Sequence, residues 1–192
     1  MERTSKFPLL SGYLSLDLVN TEIVRNGKRI DLLASKENLI EWIHTLDKEG
    51  IISIQQLSKN IEGWAISALP MVKQIRSSLR KAFEGFADDK ELKKAWLSNL
   101  EKIIDNAPFT YRLKENKLIA KPTGQPKDAF LSLIAYDALR LLSEDKITSM
   151  QRCANPDCVL LFMDTRGRRK WCSMKICGNR EKVTRHQNKK RP

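Results

Sequence analysis

The fold of the C-terminal part of this chain is decided by two short runs, Cys153-Ala-Asn-Pro-Asp-Cys158 and Cys172-Ser-Met-Lys-Ile-Cys177. Thirteen residues separate the two Cys-x4-Cys pairs, and the chain of 192 residues contains no other cysteine. The Asn-Pro-Asp sequence in the first pair favours a tight turn, and we expect Gly178 to leave the second pair with a positive φ. Such turns would bring four sulfurs together, as a tetrahedral zinc site requires.

Zinc is therefore the expected cofactor, with Cys153, Cys158, Cys172 and Cys177 as its ligands. A module of about forty residues buries too little apolar surface to fold alone, and zinc binding contributes about 10–16 kcal/mol in finger peptides. The alternatives are four unrelated buried cysteines, two redox disulfides or an iron–sulfur cluster. The clustering of all four cysteines in one region argues against a disulfide framework, and the spacing matches none of the usual iron–sulfur runs.

Positive charge is concentrated in the same region. Residues 151–192 contain twelve Lys and Arg against three Asp and Glu, so they carry +9 of the net charge of +12. Some of these cations would balance the thiolates, but twelve exceed that need, which indicates a nucleic-acid partner. The alternative is a solvated or protein-binding basic surface. The candidate nucleic-acid contacts are Arg166, Arg168, Arg169, Lys170, Arg180, Lys182, Arg185 and Lys189.

Two local interpretations qualify this basic region. A helix over 179–188 would place Lys182, Arg185 and Lys189 on one face, because they follow at i, i+3 and i+7. Trp171 could stack on a base, but burial in the small core of the module is the favoured interpretation. DNA is the expected partner, and RNA is the alternative.

Helical patterning dominates the first 150 residues, where apolar side chains recur every three or four positions. Only one segment has the alternating pattern of a β-hairpin. We predict a mainly α fold with one small β-hairpin (α+β), followed by a small zinc-stabilised finger, with domains at 1–148 and 149–192. The predicted helices cover 13–24, 35–50, 53–61, 64–86, 89–104 and 128–142, and the predicted hairpin covers 109–121.

Several classes of protein are not expected. No apolar run approaches the roughly 20 residues of a membrane-spanning helix, and the N-terminal apolar stretch is too short for a secretion signal. We therefore expect a cytoplasmic protein without a membrane partner. No Ser/His/Asp set, phosphate loop or paired-carboxylate motif is visible, and the chain has only two histidines. We expect that it is not an enzyme.

One polar cluster in the N-terminal part has two interpretations. Asp17, Asn20 and Thr21 follow at i, i+3 and i+4, so they would share one helical face. They could form the polar wall of a ligand pocket. They could instead form a buried hydrogen-bond network, which is the favoured interpretation because buried polar groups must find partners.

Two regions of the sequence resemble known families. The runs Trp171-Cys-Ser-Met174 and Cys177-Gly-Asn-Arg180 resemble the CGNR zinc finger. The opening Gly12-x3-Leu-Asp-Leu-Val-Asn-Thr21 is similar to that of the ABATE domain, which usually precedes this finger, and Asp31-Leu-Leu33 and Glu41-Trp42 are similar to the next part of that domain. The resemblance implies a bacterial, stress-linked transcription regulator with a DNA-binding finger and an N-terminal sensing domain.

The functional hypothesis is therefore a transcription regulator that binds DNA through its finger. Its N-terminal domain would sense a small-molecule effector or form a homodimer. The alternatives are an RNA-binding or ribosome-associated zinc protein, a redox-responsive zinc adaptor, and an enzyme whose finger only recruits substrate.

Overall fold

The computed structural model describes residues 6–57, 60–89, 94–114, 116–179 and 182. Within this part, the chain is mainly helical, with three separate two-stranded antiparallel sheets. This architecture confirms the predicted class, mainly α with a small β-hairpin and a C-terminal finger, and it adds two further strand pairs to the expected hairpin. The helices are α1 (Leu14–Val19), α2 (Lys36–Lys48), α3 (Ile61–Asp89), α4 (Lys94–Asn106) and α5 (Pro126–Ser143). The strands are β1 (Glu22–Arg25), β2 (Lys28–Asp31), β3 (Phe109–Lys114), β4 (Lys117–Pro122), β5 (Met150–Arg152) and β6 (Leu161–Met163).

The core of the body is built around the short helix α1, whose six residues are all buried. It packs against α3 and α5, and α2 packs on α3. Phe130 of α5 lies between two tryptophans, with ring-centroid distances of 6.1 Å to Trp42 and 5.7 Å to Trp64. Offset and edge-on contacts of this kind add to the burial energy of large aromatic side chains.

The predicted helix over 13–24 is wrong in its second half. Helix α1 ends at Val19, and the chain then forms the hairpin β1–β2. Asn26 and Gly27 form its two-residue loop with φ of 51° and 72°, values that a type I′ turn requires and that this residue pair adopts readily. The apolar residues from Leu14 to Val24 fit a helical period because a short helix is followed almost directly by a strand.

Most of the other predicted elements lie close to their observed bounds. Ser35 caps α2 by accepting a hydrogen bond from the backbone N–H of Asn38 at 3.4 Å. The hairpin β3–β4 forms as predicted. The predicted helix over 53–61 is wrong, because Ile54–Gln56 forms a 3₁₀ turn and Ile61 already belongs to α3. Helix α3 continues through Pro70, which is exposed, so water can bind the carbonyl that its missing N–H leaves free.

The C-terminal finger packs directly on the helical body. Strand β5 contacts α3, and β6 contacts α1. Leu161 and Phe162 of β6 are fully buried and belong to the same hydrophobic core as the helices. Finger and body therefore share apolar surface.

In the described part of the chain, no helix has the length and apolar character that a membrane crossing demands.

Candidate metal centre and basic surface

The four cysteines converge on one point. Their Sγ atoms all lie within 4.8 Å of one another, and those of Cys158 and Cys172 are 3.9 Å apart. All four are free thiols, three of them buried and Cys158 partly buried. Zinc–sulfur bonds of about 2.3 Å in a tetrahedron place the sulfurs about 3.8 Å apart. The cluster therefore has the donor set and the size that a tetrahedral metal ion needs.

The first cysteine loop is shaped by Asn155. Its Oδ1 accepts a hydrogen bond from the backbone N–H of Asp157 at 2.9 Å, and its carbonyl accepts one from the N–H of Cys158 at 3.0 Å. These bonds form the turn that Asn-Pro-Asp predicted. The Nδ2 of Asn155 also lies 3.6 Å from the Sγ of Cys177, so this side chain reaches from one cysteine loop to a sulfur of the other. Such a contact orients a ligand, and the sequence pattern did not indicate it.

The second cysteine loop forms a single π-helical turn, Met174–Gly178. Ser173 caps it by accepting a hydrogen bond from the N–H of Ile176 at 3.0 Å. The expected positive φ at Gly178 is wrong, because the described residues with positive φ do not include it. A Cβ at this position would lie 2.5 Å from the Sδ of Met174, so a larger residue would require this exposed methionine side chain to move.

The electrostatics of the cluster favour a cation. The hydrogen bond between their thiols lowers the pKa of Cys153 and raises that of Cys158. The same neighbour, Cys153, raises the pKa of Cys172, while burial raises that of Cys177. Without a cation, ionisation of one sulfur thus opposes ionisation of the others. A bound divalent metal deprotonates its thiol ligands, so it would remove this conflict.

Asn20, which directly follows α1, connects the finger to the body. Asn20 is fully buried, and its Nδ2 donates to the carbonyl of Leu161 at 2.9 Å. Its Oδ1 accepts from the N–H of Leu161 at 3.0 Å. A side-chain amide that satisfies both backbone groups of one buried residue holds β6 in place.

Asp17 and Thr21 also have internal partners. Asp17 Oδ1 accepts from the N–H groups of Leu10 and Ser11, at 3.0 and 3.1 Å, and from the Ser11 hydroxyl at 2.8 Å. The Thr21 hydroxyl donates to the carbonyl of Leu18 and accepts from Arg76. The structure thus places all three candidate ligand-binding side chains in the buried hydrogen-bond network that was the favoured interpretation.

A second connection between body and finger runs through Arg80, which is 5% exposed. Its guanidinium donates to Glu22 at 2.7 Å and to the carbonyl of Val159 at 3.0 Å, and it also binds the carbonyl of Val19. These contacts join α1, β1 and the finger at one point. A guanidinium with five donors suits this task, because several carbonyls and carboxylates share it.

Asp164 holds the basic loop, residues 166–170, on which the prediction of nucleic-acid binding rests. This buried carboxylate accepts hydrogen bonds from the N–H groups of Arg166 at 3.3 Å and of Arg169 at 2.7 Å. Arg166, Arg168 and Lys170 are exposed around it. The sequence pattern alone gave Asp164 no role. Asp164 fixes the backbone of the loop, and the charged side chains of the loop remain exposed.

Arg169 differs from the other cations of the loop. Its guanidinium donates to the carbonyl of Met163 at 3.1 Å and to that of Cys172, and it lies 4.6 Å from the ring centroid of Phe162. These contacts brace the finger against its second cysteine loop. Although Arg169 is exposed, its guanidinium is therefore occupied by groups of the finger, which the sequence did not indicate.

The remaining candidates are only partly covered by the structure. Lys182 is exposed. Arg180, Arg185 and Lys189 lie outside the described residues, as does most of the predicted helix over 179–188. Trp171 is partly buried and packs against the hydrophobic core. Together with Arg168–Lys170, Ser173 and Met174, it lines a shallow groove of about 540 Å³.

Comparisons with known families match both parts of the chain. The model of the ABATE family, described as "Putative stress-induced transcription regulator", matches residues 12–145. The model of the CGNR zinc finger matches residues 150–190, which include all four clustered cysteines. Among curated proteins, no relative matches the chain. Because the first match covers well over half of its length, the chain belongs to the ABATE family and carries a C-terminal CGNR zinc finger.

Proposed function

We propose that this protein is a transcription regulator whose zinc-loaded finger binds double-stranded DNA. The observation that carries the proposal is the exposed basic loop of Arg166, Arg168 and Lys170, held by Asp164 beside four convergent cysteines. Exposed cations on a fixed loop suit phosphate binding, which positions a protein on DNA. The description of the ABATE family supports the same class of function. The proposal assigns the chain no catalytic step.

Zinc is the proposed metal, with Cys153, Cys158, Cys172 and Cys177 as ligands. Four thiolates in a closed, largely buried site are typical of structural zinc. When bound, the ion would cross-link the two cysteine loops. Asn155 and Ser173 already shape those loops, so the protein's own hydrogen bonds set the directions of the sulfurs.

The proposal predicts salt-dependent DNA binding that depends on the basic loop. We would titrate the zinc-loaded protein with short random-sequence duplexes across a range of salt concentrations, and select enriched sequences from the same pool. The triple variant R166A/R168A/K170A loses up to three phosphate contacts. The magnitude of the salt slope should then fall by up to about 2.7, since each contact on duplex DNA contributes about 0.9. Arg169 is left intact because its replacement would disturb the finger.

The matched control is K48A/K102A/K121A, which removes three exposed charges from α2, α4 and β4. It should bind as the wild type does. An enriched sequence and loss of binding on zinc chelation would support a sequence-specific regulator. Preferred, unselective binding to RNA would contradict the DNA assignment and favour the RNA-binding alternative. Equal slopes for the triple variant and the wild type would remove the loop from the interface.

A further inference from the structure

The hairpin β1–β2 of the body ends in an exposed basic turn. Its tip, Arg25-Asn-Gly-Lys-Arg29, carries three cations in five residues, and all five residues are exposed. Arg25 lies directly opposite Lys28 across the two strands. Two positive side chains therefore stand side by side at the end of the ribbon.

This arrangement works against stability, because like charges directly opposite each other on a sheet repel. Neither Arg25 nor Lys28 forms an ion pair within the described part of the chain, whereas Arg29 lies 3.9 Å from Glu22. A local arrangement that opposes stability without a visible compensation is typical of a functional site. The tip is thus a candidate for binding an anion from outside.

The acids of the same hairpin do not offset these cations. Glu22, at the base of β1, pairs with the buried Arg80 at 2.7 Å and with Arg76 at 3.5 Å. Asp31, at the base of β2, pairs with Arg76 at 2.6 Å and with Lys73 at 3.0 Å. Burial acts to raise the pKa of Asp31, but hydrogen bonds from Arg76 and Lys73 outweigh it and hold that pKa below its ordinary value. The acids at the base of the hairpin are therefore neutralised by ion pairs with α3, whereas the tip keeps its positive charge.

The hairpin also faces the finger across a cleft of about 250 Å³. Ile23 and Arg25 line it from the hairpin, and Lys175 and Ile176 line it from the second cysteine loop. Lys6 and Asp157 complete its charged lining, and Lys6 is paired with Glu41 at 3.0 Å. The cleft therefore has a cation on each side, Arg25 of the hairpin and Lys175 of the second cysteine loop.

We propose that the β1–β2 hairpin is a second nucleic-acid contact, in which Arg25 and Lys28 bind phosphates of the duplex that the finger binds. The inference rests on the proposed function and extends its interface to the N-terminal domain. A two-stranded ribbon is narrow enough to enter the major groove of B-DNA. Lys175 lines the cleft opposite the hairpin and adds a cation of the finger beside Arg25.

The test compares two double variants of the full-length, zinc-loaded protein. R25A/K28A removes the tip charges, and K102A/K121A removes two exposed charges from α4 and β4 as a matched control. Affinity for one duplex is measured across salt, using the enriched sequence or, failing enrichment, a fixed random one. The loss of two phosphate contacts lowers the magnitude of the slope by about 1.8, which is about a 60-fold loss at 0.1 M salt if affinities coincide at 1 M.

Thermal melting separates a binding role from a structural one. R25A/K28A removes a repulsive pair, so its melting temperature should equal or exceed that of the wild type. The charge-preserving variant R25K/K28R should restore the slope. If R25A/K28A binds as the matched control does while R166A/R168A/K170A loses affinity, the hairpin proposal is overturned and the proposed function stands. If the wild type binds no duplex, both are overturned.

Discussion

Asp17 is a buried carboxylate in which only one oxygen is hydrogen-bonded. Its Oδ1 accepts three bonds, whereas Oδ2 is buried and has no hydrogen-bond partner among the described atoms. Burial raises the pKa of Asp17 to about 6, although hydrogen bonds from Ser11 and Leu10 act in the opposite direction. Ionisation of the Asp17 carboxyl therefore destabilises the folded protein.

This cost predicts a defined pH dependence. The ordinary pKa is 3.8, so between about pH 4 and 6 the folded protein binds a proton at Asp17 that the unfolded chain has lost. The contribution of Asp17 to stability must then fall as pH rises through this window, by up to about 3 kcal/mol. The variant D17N cannot titrate. Its free energy of unfolding in urea, relative to wild type, should therefore rise by up to that amount between pH 4 and 7.

The control for this experiment is D105N, at an exposed position on α4. Asp137, a partly buried carboxylate whose pKa burial also raises, is present in every variant and cancels in the difference. Parallel pH profiles for wild type and D17N would contradict the prediction, because they would mean that burial does not disfavour the charged form.

At the scale of elements, the two hairpins show what local sequence can predict. β3–β4 was recognised because its residues alternate around a polar turn. For β1–β2, Asn26-Gly27 is a strong hairpin signal. The apolar residues from Leu14 onward also fit a helical period, however, so the sequence pattern predicts one helix in place of the short helix and the first strand. The end of α1 is fixed instead by Arg80, which binds the carbonyl of Val19 from another helix.

Arg80 and Arg152 both connect α3 to other elements, but burial separates their energetic roles. Arg80→Met leaves Glu22 and the carbonyls of Val19 and Val159 without this partner in a buried site, so we expect a loss of about 3–5 kcal/mol in the free energy of unfolding. Arg152 pairs with Asp88 at 2.8 Å, but its side chain is 39% exposed. Arg152→Met should therefore cost no more than about 1 kcal/mol.

Urea denaturation of both variants tests this contrast. Both substitutions replace an arginine with the same unbranched apolar side chain, so the change in chemistry is matched. Equal losses of stability would show that the Arg80 contacts are no stronger than an exposed ion pair.

At the scale of the whole molecule, finger and body form one packed unit. Cys153, Cys172 and Cys177 belong to the same hydrophobic core as the helices, together with Leu161 and Phe162. A metal that stabilises the folded finger must then stabilise the body as well, because ligands that bind only the folded state shift the unfolding equilibrium.

Removal of zinc should consequently lower the melting temperature of the entire chain. We expect chelation, or the variant C177S, to shift a single cooperative transition followed by circular dichroism. In the background W171F, whose remaining tryptophans Trp42, Trp64 and Trp96 all lie in the body, tryptophan fluorescence should report the same shift. D157N, within the first cysteine loop but outside the cluster, is the control. Body fluorescence that melts unchanged after chelation would show that the finger is energetically independent.

The candidate metal site was predictable to the level of its four residues, because the spacing of cysteine pairs is a local signal. Its attachment was not predictable from local pattern. The Asn20–Leu161 bonds join positions 141 residues apart, and the Arg80–Val159 bond joins positions 79 residues apart. The resemblance of both ends to known motifs indicated the two families, but not which buried side chains connect them.

The amide of Asn20 also closes an open edge. β6 belongs to a two-stranded sheet, and an edge strand with free N–H and C=O groups is a template on which another chain can add a strand. Asn20 occupies both groups of Leu161, so intermolecular pairing cannot start at that residue. The side chain that connects the finger to the body thereby also leaves no free backbone group at this position of the edge.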